Sequence, residues 1–105
     1  MKTIKYKTRE EEVLDKIVSL LKENLNPNLI LLFGSRAGKN YSPSSDFDIA
    51  IDGKKINIRE LRELKEKIEK VSGLYNVDIV FLESVDRDFK DIIIKRGKIL
   101  YERCA

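Results

Sequence analysis

The chain has 105 residues, of which 42% are hydrophobic and 37% charged, with a formal net charge of +3. That supplies one hydrophobic core and not two, so residues 1–105 are expected to form a single domain. There is no histidine, and Cys104 is the only cysteine, which excludes imidazole bases, Ser-His-Asp chemistry, histidine zinc sites and any intrachain disulfide or cysteine metal cluster.

Thr8 and Glu11 have the spacing of a capping box. After them Val13, Leu14, Ile17, Leu20, Leu21 and Leu25 recur at helical spacing, with Glu12, Lys16, Lys22 and Glu23 on the other face. Asn26, Pro27 and Asn28 stop this helix, because proline has no amide to donate and restricts its predecessor. Leu29 to Phe33 is wholly apolar and reads as a buried strand, broken by Gly34 and Ser35. Ala37 to Ser45 has the composition of a loop, or of a brief helical turn and a loop.

Alternation follows, with Asp46, Asp48 and Ala50 on one side of a strand and Phe47, Ile49 and Ile51 on the other, closed by a turn at Asp52 and Gly53. Asn57 and Glu60 form a second capping box. The helix they open carries the stripe Ile58, Leu61, Leu64, Ile68 and Val71, and ends at Ser72 and Gly73. A third strand is expected over Val77 to Leu82, interrupted by Asp78. A short helix from about Asp86 to Lys95 carries Phe89, Ile92 and Ile93, and Gly97 ends it before a last short strand at Ile99 to Tyr101. The order predicts a mixed α/β (α+β) domain: a sheet of about four strands with helices packed mainly on one face.

Three aspartates occupy positions where apolar residues would be expected. Asp46 and Asp48, two apart on a strand, emerge on the same face, and Asp78 interrupts the most apolar strand of the second half. Ionised carboxylates gathered in a partly buried place are costly unless cations neutralise them, and an all-oxygen ligand set suits magnesium or manganese. Each aspartate alone has a plain structural reading, Asp46 as a turn residue and Asp78 as a charge guarding an edge strand. Gly34 and Ser35, directly after a buried strand, allow backbone and a hydroxyl to approach phosphate oxygens, and Arg36 and Lys39 can add positive charge. This is no Walker A sequence, since glycine-lysine-serine is absent.

The run Gly34-Ser35-Arg36-Ala37, followed by Ser45-Asp46-Phe47-Asp48, resembles the glycine-serine, ten residues, aspartate-any-aspartate pattern of the polymerase-beta-like nucleotidyltransferase superfamily. More narrowly, the chain is similar to the minimal nucleotidyltransferases over nearly its whole length. The likeness includes the helix before the first strand and the tail Ile94-Lys95-Arg96-Gly97-Lys98-Ile99-Leu100-Tyr101-Glu102. It departs at Gly38-Lys39, where many members have arginine and then glycine after the alanine. The resemblance implies that Gly34, Ser35, Arg36 and Ser45 hold the nucleotide. It further implies that Asp46, Asp48 and Asp78 are the catalytic carboxylates and ligate two magnesium ions (or manganese), with ATP as substrate.

It also implies a partner, a HEPN-domain ribonuclease toxin, to whose tyrosine hydroxyl AMP is attached, so that the chain acts as an antitoxin. Two other readings stand beside it: a non-catalytic module that neutralises the HEPN partner by contact, and transfer to RNA or to a small molecule. Acidic and basic residues are interleaved, and the only basic-leaning stretches are Lys2 to Arg9 and Lys90 to Arg103, so nucleic acid is the less favoured partner. No apolar run approaches a membrane span and Met1 to Arg9 lacks the apolar segment of a secretory signal, which makes the cytoplasm the expected compartment. Exposed remnants of the amphipathic stripes leave room for a homo-oligomer.

Overall fold

The structure is a computed structural model, which describes residues 8–34 and 46–103. Its elements, in order, are α1 (Arg9–Leu25), β1 (Leu29–Phe33), β2 (Phe47–Asp52), α2 (Ile58–Ser72), β3 (Val77–Phe81), α3 (Arg87–Arg96) and β4 (Lys98–Glu102). A 3-10 turn over Leu82–Ser84 joins β3 to α3.

Each of α1, α2 and α3 begins on a side-chain cap. The Thr8 hydroxyl accepts from the Glu11 amide at 3.2 Å, and Asp86 Oδ1 accepts from the Phe89 amide at 2.8 Å. Asn57 works in both directions: its Oδ1 accepts from the Glu60 amide at 2.8 Å while its Nδ2 donates to Glu60 Oε1 at 2.6 Å. Each cap satisfies an amide that has no partner within the helix. At the far end of α1, Asn26 takes a left-handed conformation (φ 47°), and Arg103 beyond β4 donates to its side-chain oxygen at 2.6 Å.

The four strands lie in the order β3-β2-β1-β4. β1 pairs antiparallel with both β2 and β4, with a bulge against β4 between Ile30 and Leu31, and β2 pairs parallel with β3. The sheet is therefore mixed, as expected. Ile30 and Leu32 of β1 and Phe47, Ile49 and Ile51 of β2 pack on one face against Val13, Ile17 and Leu21 of α1 and Leu64 and Ile68 of α2. The other face carries a smaller cluster of Leu31, Ala50, Leu82 and Ile93, so α3 covers that side.

Three expectations are adjusted. β3 ends at Phe81, one residue short, because Leu82 opens the 3-10 turn; Glu83 in that turn accepts the Lys55 amide at 2.8 Å and ties it to the loop after β2. Ile58, placed in the stripe of α2, is 77% exposed; as the first residue of the helix it precedes the part that reaches the sheet. The last strand is longer than expected, Lys98–Glu102. Among the described residues, no helix is long and apolar enough to cross a membrane.

Candidate active site

The parallel pairing of β2 with β3 aligns Phe47 with Val77, Asp48 with Asp78 and Ile49 with Ile79. Residues in register on neighbouring strands project from the same face, so Asp48 and Asp78 stand side by side away from the α1–α2 core. Asp46, immediately before β2, belongs to the same group. Burial pushes the Asp48 carboxyl above the ordinary carboxylate range, and the charges of Asp78 and Asp46 push it further the same way. Two carboxylates are thus close enough to resist the ionisation of the third.

β1 brings the fourth component. Phe33 pairs with Asp48 across the antiparallel ladder, and Gly34 follows at the strand end with φ +72°. A Cβ built on Gly34 would overlap the Asp48 carboxylate, lying 3.2 Å from its Cγ and against its Oδ2. Glycine therefore serves twice here: it adopts a backbone region that other residues rarely enter, and it leaves room for the carboxylate. Ser35, Arg36 and Ser45, the other residues expected to hold nucleotide, and Gly38 and Lys39, where the loop departs from the usual pattern, lie outside the described residues.

Two clefts flank this group. An apolar one of about 420 Å³ begins at Gly34 and is lined by Phe33, Phe89, Ile92, Ile93 and Arg96. Its wall is set by the edge-on contact of Phe33 with Phe89, ring centroids 5.9 Å apart. The second, of about 370 Å³, lies at the outer edge of β3 and includes Asp46 and Asp78 together with Lys65, Glu69, Tyr75 and Asn76. None of the residues added by these clefts was singled out for function in the sequence. A signal for the first existed: Ile92, Ile93 and Ile94 are consecutive on a helix, so they cannot all face one core. Ile93 is buried, whereas Ile92 and Ile94 are about half exposed.

The donor set suits a hard divalent cation held partly by a substrate. Among the described residues, no three potential metal-ligating side chains are already gathered into a coordination set. Magnesium commonly takes one or two carboxylates and completes its shell with water and substrate phosphates. A half-buried carboxyl whose ionisation is opposed by two neighbouring carboxylates fits such a site, because a cation would remove the opposition.

Residues 15–104 match the family model "Polymerase beta, Nucleotidyltransferase". The chain belongs to that family. Several solved structures share the fold of this chain over most of its length. One, a toxin-antitoxin with AMP-PNP, is 30% identical with a TM-score of 0.72, the alignment covering 85% of this chain and 73% of that one. Another is a complex of a tri-AMPylated Shewanella oneidensis HEPN toxin with its MNT antitoxin, 26% identical with a TM-score of 0.68, over 91% and 74% of the two chains. A third, the MntA-HepT toxin-antitoxin, is 28% identical with a TM-score of 0.66, over 87% and 71%. Comparison with curated proteins gives no match. The resemblance read from Gly34 to Ala37, Ser45 to Asp48 and the tail Ile94 to Glu102 thus agrees with both the family model and the structural neighbours.

Proposed function

We propose that this nucleotidyltransferase moves the AMP of ATP onto a hydroxyl of a HEPN-domain toxin, a tyrosine in the reading favoured here, and so acts as its antitoxin. The observation that carries the chemistry is the row Gly34–Asp48–Asp78 across β1, β2 and β3, with glycine backbone packed directly on the first carboxylate. The partner is supported by the complexes of similar chains, one holding a nucleotide analogue and one an AMPylated HEPN toxin.

In this reading Gly34, with Ser35, Arg36 and Ser45, holds the triphosphate, and Asp46 and Asp48 hold divalent ions, with Asp78 completing the site. Such ions, when bound, neutralise charge on the phosphates and ease the departure of pyrophosphate. The acceptor hydroxyl oxygen forms a bond to the α-phosphorus while the bond from that phosphorus to the bridging oxygen of the β-phosphate breaks. Pyrophosphate leaves with that electron pair. Asp78, in register with Asp48, has the part of orienting the hydroxyl and taking its proton. The rest of the acceleration comes from alignment and from charge held in place before reaction.

The test uses ATP labelled at the α-phosphate, magnesium, this chain and a HEPN-domain toxin offered as acceptor. Label should appear on the HEPN protein and be absent with the Asp46→Ala, Asp48→Ala double variant. A stable, unlabelled complex that still silences the toxin would instead establish neutralisation by contact, and label on RNA or a small molecule would redirect the assignment of the acceptor.

A further inference from the structure

Arg62, Lys65, Glu66 and Glu69 recur at helical spacing and share one side of α2, where they line a cleft of about 430 Å³ with Ile58 and Leu61. The helix is anchored elsewhere on its surface: Leu64 and Ile68 are buried in the core, and Lys67 donates to Asn24 of α1 at 3.1 Å. From the start of the helix to its end, the outer side carries two cations and then two anions. That order runs against the helix's own electrostatics. Backbone dipoles favour anions near the start and cations near the end. A cation four residues before an anion, as in Arg62 with Glu66 and Lys65 with Glu69, is also the weaker arrangement of such a pair. Among the described residues none of the four side chains has an ion-pair partner.

We infer that this side of α2 is a self-association surface, against which a second copy of the chain lays its own α2 antiparallel. Turned end for end, the charge order is its own complement. Arg62 comes level with Glu69 of the second copy and Lys65 with Glu66, and two-fold symmetry repeats both pairs. A parallel arrangement would set like charge against like, and a polyanion such as RNA would meet as many anions as cations. The same register uses nearly the whole helix, whose 15 residues span about 22 Å. It also sets Ile58 of each copy, 77% exposed, beside the turn that carries the fully exposed Leu74 of the other. Asp48 and Asp78 project from the opposite face of the sheet, so the pairing leaves them open. A contact one helix wide is smaller than a standard stable interface, and the dissociation constant should be on the order of 10 to 100 µM. At the lower concentrations of an unfolding measurement the chain is monomeric and Ile58 stays open to solvent.

The experiment is sedimentation equilibrium from about 5 to about 500 µM chain. The unaltered protein should show a reversible monomer–dimer equilibrium, weakened severalfold when salt is raised from about 50 to about 500 mM. Two variants identify the surface. Glu66→Lys with Glu69→Lys makes this side of α2 wholly cationic, and Arg62→Glu with Lys65→Glu makes it wholly anionic. All four side chains are exposed, so folding is not at stake, and circular dichroism checks this. Each variant alone should lose self-affinity by about tenfold or more, while an equimolar mixture of the two should recover a one-to-one dimer at least as tight as the unaltered one. An unaltered chain that is still monomeric at about 500 µM overturns the inference. So does a dimer that survives in either variant, which would place the contact on another surface such as a sheet edge. A mixture that fails to recover the dimer overturns it too, since the charges would then not face each other.

Discussion

Gly34 and Asp48 are so closely packed that a single methyl group on the first would displace the carboxylate of the second. The two are diagonal neighbours across an antiparallel ladder, β1 ending where β2 has just begun. The end of β1 at Gly34 and the Asp48 carboxylate are therefore one mechanical unit rather than two features that happen to be near each other. Gly34→Ala should lower stability by about 1 to 2 kcal/mol from the left-handed backbone alone. It should also lower nucleotidyl transfer by on the order of 100-fold, because the Asp48 carboxylate cannot stay in place. Urea midpoints and transfer assays on the same preparation separate the two effects. Full activity in a folded Gly34→Ala protein would show that the Asp48 position is not critical.

Asp48 gives a prediction in pH. Its carboxyl is pushed above the ordinary value by burial and by the charges of Asp78 and Asp46, so the folded state holds its proton more tightly than the unfolded state. Between the unfolded and folded values, stability then falls as pH rises, and above the folded value the full cost of the ionised group is present. With metal removed by chelator, Asp48→Asn should be more stable than the unaltered protein at pH 7. The advantage should shrink as pH falls through the carboxylate range and vanish below about pH 3.8, the ordinary carboxyl value. Urea midpoints at a series of pH values read this directly. Saturating magnesium and nucleotide should reverse the order at neutral pH, since ligand bound to the folded state stabilises it by mass action. An Asp48→Asn protein less stable in chelator at every pH would mean that the carboxylate has a structural role.

The site was partly legible because its members follow local rules. Two aspartates two apart on an alternating strand must share a face, and a glycine after a buried strand marks a turn. The caps at Thr8 and Asn57 were equally local. What could not be read was alignment between strands distant in sequence. Asp78 lies 30 positions after Asp48, and only the parallel register of β2 with β3 sets it beside that residue. A shift of one residue would have turned Asp78 into the core and Val77 toward the carboxylates. The two clefts share this origin: each is bounded by elements that meet only in the folded chain, α3 with β1 on one side and α2 with β3 on the other.

The stripe of α2 separates pattern from packing. Ile58 and Ile68 both belong to the helical apolar periodicity, yet Ile58 is 77% exposed and Ile68 only 3%. Ile68→Ala should cost about 2 to 5 kcal/mol, since it removes buried volume where α2 meets the sheet. Ile58→Ser should stay within about 0.5 kcal/mol of the unaltered protein. Thermal or urea unfolding of the pair decides it. A large loss at Ile58 would mean that this exposed position is covered by something else in solution, for instance a second copy of the chain.

Gly97 offers the converse case, a glycine whose role is not conformational freedom. Its φ of −71° with ψ of 152° is extended backbone that any residue adopts, so the helix-stop role expected from sequence does not by itself demand glycine. Space does. A Cβ there would lie 2.5 Å from the Ile93 carbonyl oxygen, 3.3 Å from that of Leu32 and 3.5 Å from the Leu31 Cβ. Two of those atoms are backbone, which cannot swing aside as a long side chain would. The Gly97 amide also donates to the Ile93 carbonyl at 2.7 Å, closing the end of α3 against β1. Gly97→Ala should therefore lift the C-terminal turn of α3 from the sheet and cost about 1 to 3 kcal/mol, the range for overfilling a packed interior. The control is Gly53→Ala, where the nearest atom to an added Cβ is at an ordinary 3.4 Å, and which should change stability by no more than about 0.5 kcal/mol. Because Ile93 and Arg96 line the apolar cleft that begins at Gly34, the Gly97 variant should also disturb that cleft without touching any carboxylate. Equal stability of the two variants in urea would show that α3 accommodates the methyl group by a shift that β1 does not resist.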